Sequence, residues 1–402
     1  MRSAAFLVII LVIASACSGF DPDAPWTLSS GPEDAPTPIP EGTRIIEHEA
    51  VPIDERSEQI GLVEDLVIPG GIEPFYRPID IDVDAAGNIY VFDAGNQNVV
   101  TFDRYGNYTR TLGRGGQGPG EIGEGGRIAI VSGYLVHLLW NRVNVWSETG
   151  ESIGSFNMRV VVRMSLVGGT EEGLLVGFVR RRGATGRQVV VAVDLEGSSE
   201  RELVDLPSLK QLMVIQGSRA RSTGVPVARP DIAMTPSGDI YATAGSDYEV
   251  LALAADGRAR WAIRVPWPRL ALTDDRIDQA LRHVMGRDED NDIPSTMIDV
   301  RRSDVEWPEL LPALIGGASR PYARPLAVDG HGHLYVFPFF PEDWDRPDQP
   351  VDVYSREGEH LFSGMIPMVR WESARADYIY GIGRDPVSEE YTVVRYRLIE
   401  PF

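Results

Sequence analysis

Residues Arg77–Glu121 read RPIDIDVDAAGNIYVFDAGNQNVVTFDRYGNYTRTLGRGGQGPGE. Four runs in this stretch are rich in β-branched and aromatic residues: Ile79–Val83, Asn88–Asp93, Asn98–Asp103 and Asn107–Leu112. Asp-Ala-Ala-Gly, Ala-Gly-Asn-Gln and Arg-Tyr-Gly separate them, and glycine supplies the positive φ that a tight turn needs. The spacing predicts a four-stranded antiparallel meander. One such sheet cannot bury both of its faces, so copies of the unit must pack on one another.

Copies are present. Gly87 is followed by Tyr90 three residues later and by Gly106 nineteen later, and Gly238, Tyr241 and Gly257 repeat that spacing. Gly332, Tyr335 and Gly358 mark another unit with a seven-residue extension. Weaker units turn at Gly133 and Gly150 and at Gly173 and Gly197, and a short one spans Asp377–Ile399. The expected fold is therefore an all-β, six-bladed β-propeller with four-stranded blades. The last blade runs out of chain at Phe402, so an N-terminal strand, from Arg44–Val51 or Gln59–Ile68, should complete it and hide its open edge. A small, partly helical insertion, residues 266–319, is expected between blades 4 and 5. Thr273 would cap a helix Asp274–Met285 whose Ile277, Leu281, Val284 and Met285 share a face.

The pattern Arg-Pro, apolar run, Asp-x-x-Gly-Asn-Ile-Tyr-Val, Asn-Gln-Asn-Val, Phe-Asp and Gln-Gly-Pro-Gly-Glu resembles the NHL repeat. The whole chain is similar to six-bladed propeller lipoproteins of bacterial envelopes. That resemblance implies a fold, while the function it implies spans binders, lyases and lactonases.

The N-terminus fits an envelope address. Arg2, an apolar run from Ala4 to Ile13 and Ala-Ser-Ala before Cys17 read as a secretory signal over residues 1–16. Cys17 is the chain's single cysteine and the expected lipid anchor, where two or three acyl chains at roughly 0.8 kcal/mol per buried CH₂ would hold firmly. Residues 17–42 carry the acylated Cys17 and a Pro-rich tether, and 43–402 the propeller. Ser18 beside Cys17 resembles an outer-membrane sorting signal, so the propeller should face the periplasm or the cell surface. The formal charge of −21 repels phosphate backbones and excludes nucleic acid as a partner. A monomer touching the membrane through its anchor alone is expected.

Strand alternation sorts the loops. Turns within the first and last strand pairs of each blade are short and share one end of the ring. The long connections, Gly113–Gly126, Arg180–Gln188, much of Ser208–Val227, Pro266–Ser319 and Pro338–Pro350, share the other, and long loops on a rigid scaffold carry binding surfaces. Arg77, Arg127, Arg163, Arg229, Arg324 and, in blade 6, Arg370 or Arg375 stand at the starts of inner strands near that end. Either they receive an anionic ligand by bidentate hydrogen bonds, or they pair with acids of neighbouring blades such as Asp80 and Asp231. With Trp344, which could stack on a sugar ring, they are the candidate ligand-binding residues. No catalytic residue and no metal ligand is assigned.

The expected function is a lipid-anchored binding or scaffold propeller that recognises a glycan, an anionic ligand or a partner protein, with no cofactor. The alternative is a propeller hydrolase or lyase with a metal near the tunnel, where Asp80, Asp82 and Asp231 would be the remnant of a calcium site. Gly113-x-Gly115-x-x-Gly118 matches a dinucleotide fingerprint but precedes a strand, so it lacks the helix dipole such a site uses.

Overall fold

A computed structural model describes residues 26–29, 37–116, 118, 120–158, 164–180, 188–196, 198–206, 210–216, 219–228, 230–244, 247–266, 323–338, 348–367, 371–385 and 387–400. Its sheets form six blades in sequence order, each with four antiparallel strands. The inner strands are Pro78–Val83, Arg127–Val131, Met164–Gly169, Asp231–Met234, Ala323–Val328 and Trp371–Arg375. The turn glycines predicted from the repeat do their work: Gly87, Gly106, Gly238, Gly257, Gly332 and Gly358 all adopt positive φ.

Each blade buries its two faces against its neighbours, as the shared cores show. Val91 and Phe102 of blade 1 pack with Tyr380 and Val393 of blade 6. Phe92 and Val99 pack on the other side with Leu135 and Trp146 of blade 2. The closing strand is Gly61–Ile68, which pairs antiparallel with Tyr391–Ile399 as the fourth strand of blade 6. The other candidate contributes Arg44–Glu47, which lies parallel to Ala259–Arg264 as a fifth strand of blade 4.

The chain just before and between these two strands is a strap along the rims of blades 4 and 5. The Thr37 hydroxyl accepts from Ala244 N–H (3.0 Å), and His48 Nε2 meets the Gly358 carbonyl (2.9 Å). Arg56 pairs with Asp352 (2.8 Å), and Ile60 N–H donates to the Met365 carbonyl (2.9 Å). Two rims are thereby kept from exposing unpaired backbone. A hairpin, Lys210–Gln216 and Arg219–Ala228, stands outside the blades and pairs with Trp26–Ser29.

The partly helical insertion is corrected. Among the described residues there is no α-helix, the single helical element being the 3₁₀ turn Ile53–Glu55, and the fold is all-β. Residues 267–322, on which the helix Asp274–Met285 was expected, lie outside the described residues. Among the described residues no helix is long and apolar enough to cross a membrane.

Candidate metal centre beside the tunnel

Inner strands are edge strands, so their N–H groups on one side have no backbone partner. Carboxylates supply it. Asp80 and Asp82, two residues apart and so on one face of the strand, accept from Ile128 N–H (2.7 Å) and Ile130 N–H (2.6 Å) of blade 2. Asp231, at the position of Asp80 in its own repeat, accepts from Leu326 N–H of blade 5 (2.8 Å). These three acids, read from the sequence as a possible calcium site, are staples between blades.

Arg127 answers the pairing alternative. Its guanidinium reaches Asp80 of blade 1 (2.8 Å) and Glu372 of blade 6 (3.3 Å), tying three blades together. Burial still pushes Asp80 up to about 7 against the pull of Arg127, and pushes Asp82 up to about 6. A group whose folded pKa is raised contributes stability below its unfolded value and loses it as pH climbs through the folded one. Arg127→Met should push Asp80 higher still, so the variant's deficit should widen from pH 5 to pH 9. The deficit should reach about 1–2 kcal/mol at pH 8, a modest figure because Arg127 is half-exposed. Urea midpoints measured across that range check it, and a pH-independent deficit would exclude the pairing as its cause.

Arg77 directly precedes its inner strand, exposed, with its guanidinium on the Glu124 carbonyl (3.2 Å). Arg163, Arg229, Arg370, Trp344 and Cys17 lie outside the described residues, as does the side chain of Arg324. The Gly113–Gly126 loop is no phosphate cradle: the Glu121 carboxylate accepts Gly118 N–H (2.5 Å) and pairs with Arg114 (3.0 Å).

All six inner strands line a central cavity of about 1160 Å³. Short-turn residues also border it, among them Asp84, Ser132, Glu171, Thr235 and Asp329, so among the described residues its wall continues to the short-turn end. That is the end opposite the long connections.

The turn between the first two strands follows one recipe. In blade 1, Asp84 Oδ1 accepts from Ala86 and Asn88 N–H, while Asn88 Nδ2 (2.8 Å) and Tyr90 Oη (3.2 Å) donate to Asp84 Oδ2. In blade 5 the same positions hold Asp329, His333 and Tyr335. Asp329 Oδ1 accepts from His331 and His333 N–H, and His333 Nδ1 donates to Asp329 Oδ2 (2.8 Å).

Just after these turns, blades 4 and 5 each meet the end of the third strand of the next blade. Asp239 of blade 4 there meets Arg356 of blade 5, so the protein supplies the cation. At the blade 5–6 junction the facing residue is Glu400, an acid. Its Oε1 lies 3.7 Å from His333 Nδ1 and accepts a short hydrogen bond from Tyr335 Oη. The Asp329 carboxyl is buried, which alone would raise it, but hydrogen bonds led by that from His333 hold it below the usual range. Asp329 and then Glu400 push His333 up to about 10. Burial, with the two acids beside it, drives the Tyr335 phenol up as well.

Asp329, His333 and Glu400 each offer one donor atom, all within 4.8 Å of one another. Donors around a single zinc-like ion at roughly 2.0–2.2 Å stand about 3.0–3.5 Å apart, so the widest of these separations would close by about an ångström or more through side-chain rotation. One imidazole and two carboxylates suit a borderline divalent ion, zinc or manganese. His333 flanks the Gly332 turn at the short-turn end, away from the long connections on which the sequence reading placed the binding surface. The usable signal was histidine where the first repeat has Asn88, four residues after an aspartate.

No family model matches the chain, and no curated protein matches it. Solved structures do match. A member of the DUF4221 family from Bacteroides vulgatus is 10% identical and superimposes with a TM-score of 0.51, over 84% of this chain and 98% of that one. An exported protein from Bacteroides fragilis is 11% identical with a TM-score of 0.47, over 89% and 99%. A gluconolactonase from Xanthomonas campestris is 10% identical with a TM-score of 0.38, over 85% and 99%. The likeness is one of fold: this chain is a six-bladed propeller.

Proposed function

We propose that the protein is a metal-dependent hydrolase or lyase of the cell envelope, holding a divalent ion at Asp329, His333 and Glu400. One observation carries this reading. Where the blade 4–5 junction answers its acid with Arg356, the blade 5–6 junction gathers two carboxylates around one histidine, so that three metal-ligating side chains converge. Two carboxylates outnumber the one histidine, so the site stays net negative even with that ring protonated, and a divalent ion can take the place of the proton. Asp329 also lines the central cavity, so the ion would border a space large enough for a small-molecule substrate.

A bound divalent ion would polarise a carbonyl oxygen of that substrate. The chain's own contribution is to hold the donors. Backbone N–H groups of His331 and His333 fix the Asp329 carboxylate, and the Tyr335 hydroxyl fixes Glu400. Export through the signal at residues 1–16, acylation at Cys17 and an NHL-like repeat are parts of the same reading. The repeated Asp-x-x-Gly turn geometry of Asp84 and Asp329 supports the last of these.

Calorimetric titration with zinc or manganese chloride should find one site per chain, weakened at least tenfold in His333→Ala and unchanged in Asp84→Ala. Equal weakening in both variants would reduce the cluster to another copy of the turn. Absence of binding would return the protein to the second reading, a lipid-anchored module for a glycan, an anionic ligand or a partner protein. The exposed guanidinium of Arg77 favours that reading.

A further inference from the structure

Two of the three donors belong to blade 5. Asp329 directly follows the inner strand Ala323–Val328, and His333 directly precedes the second strand, Leu334–Pro338. The third does not: Glu400 directly follows Tyr391–Ile399, the strand of blade 6 that receives the N-terminal strand. The register of that closure begins with Gly61 opposite Ile399, one residue from Glu400. The ring is therefore zipped shut from a point beside the proposed ion.

The surroundings are built for close approach. A Cβ on Gly330 would lie 1.9 Å from the Ala376 backbone nitrogen, so the first turns of blades 5 and 6 already touch. His331 Nε2 reaches Asp377 Oδ1 (2.7 Å), and Leu398 N–H donates to the Asp377 carbonyl (2.8 Å). On the other flank Ile60, just before the closing strand, is bonded to Met365 of blade 5. Both strands of the closure are thus moored to blade 5. The mooring of Glu400 is the one that brings a second carboxylate to Asp329 and His333.

We propose that a divalent ion at Asp329, His333 and Glu400 is the clasp on ring closure. It fixes the C-terminal end of the Tyr391–Ile399 strand to blade 5 and thereby holds Gly61–Ile68 in register. This rests on the metal site proposed above, and adds that occupancy decides how firmly the propeller is shut. Anything that binds the closed ring and not the opened one stabilises closure by mass action. Opening at the closure is a local event with a free energy below that of global unfolding, so it can be read separately.

The test is hydrogen–deuterium exchange on the full chain, with and without saturating zinc or manganese chloride, alongside calorimetry of binding. Metal should slow exchange in 61–68 and 391–399 at least tenfold, and in the outer strands of blades 2 and 3 less than twofold. Glu400→Gln, which keeps an acceptor for Tyr335, should abolish the selective protection, and His333→Gln should do the same. Binding with equal protection everywhere would overturn the clasp and leave the proposed function standing. Selective protection that survives in Glu400→Gln would also overturn it. Absence of binding in the wild-type chain would overturn both.

Discussion

Arg56→Met should lower the unfolding free energy by about 3–5 kcal/mol, among the largest losses from any single side chain in the molecule. Arg56 sits in the N-terminal strap with a fully buried side chain, and its Nη1 pairs with Asp352, itself nearly buried, at 2.8 Å. The same group donates to the Val351 carbonyl (2.9 Å), and Nε donates to Val51 (3.1 Å), so one guanidinium joins strap and blade 5. Without it Asp352 keeps only neutral donors, Tyr248 at 2.6 Å and Ser363 at 2.5 Å, around a charge removed from water. One countervailing contribution exists: Arg56 Nη2 is buried with no hydrogen-bond partner, which costs about 1–3 kcal/mol in the wild type. That places the expected loss toward the lower end of the range. Adding Asp352→Asn should recover at least half of it, because the stranded charge is then gone. Urea midpoints of the two variants decide, and a single-variant loss below about 1 kcal/mol would mean that the strap is held elsewhere.

What the sequence disclosed and what it hid follow from the range of the interactions. A turn such as Asp84-Ala-Ala-Gly87-Asn88 is stabilised by bonds that close within four residues, so its signature is contiguous and repeats wherever the turn does. Ring closure was legible for a related reason: a last blade short of one strand demands a partner. Choosing Gly61–Ile68 over Arg44–Glu47 was not, because both are short apolar runs and only packing separates an antiparallel fourth strand from a parallel fifth. The strap was invisible, since His48, Arg56 and Ile60 meet partners about three hundred residues away.

The candidate centre was half legible. Asp329 and His333 are four residues apart and occupy a repeat position, so the substitution of histidine for Asn88 could be seen. Glu400 lies beyond the last repeat, and nothing in a linear reading brings it to His333. The tunnel acids fail in the opposite direction. Asp80, Asp82 and Asp231 look like a ligand set in one dimension, yet each is occupied by a backbone N–H of the next blade. The arginines divide for the same reason. The acid that neutralises Arg127 is on blade 1, where Asp80 can be guessed from its repeat position, and on blade 6, where Glu372 cannot.

Gly330→Ala should cost about 3 kcal/mol, and the neighbouring Gly332→Ala only about 1 kcal/mol, although Gly332 alone of the two has positive φ. The two glycines are needed for different reasons. At Gly332, with φ of 88°, the nearest atoms to an added Cβ are 3.9 Å away, so the penalty is backbone strain with no clash. At Gly330 the added carbon would fall 1.9 Å from the Ala376 nitrogen and 2.5 Å from its Cα. Both obstacles are main-chain atoms of blade 6, which cannot swing aside as a long side chain would. Relief requires moving the first turn of blade 5 away from blade 6, and that turn carries Asp329. Gly330→Ala should therefore lose both stability and affinity for zinc or manganese, whereas Gly332→Ala should lose stability with less effect on binding. Thermal midpoints and calorimetric titrations on the two proteins separate these outcomes. A Gly330→Ala protein as stable as the wild type would show that blades 5 and 6 can part at no cost, and a clasp between them would then have nothing to hold.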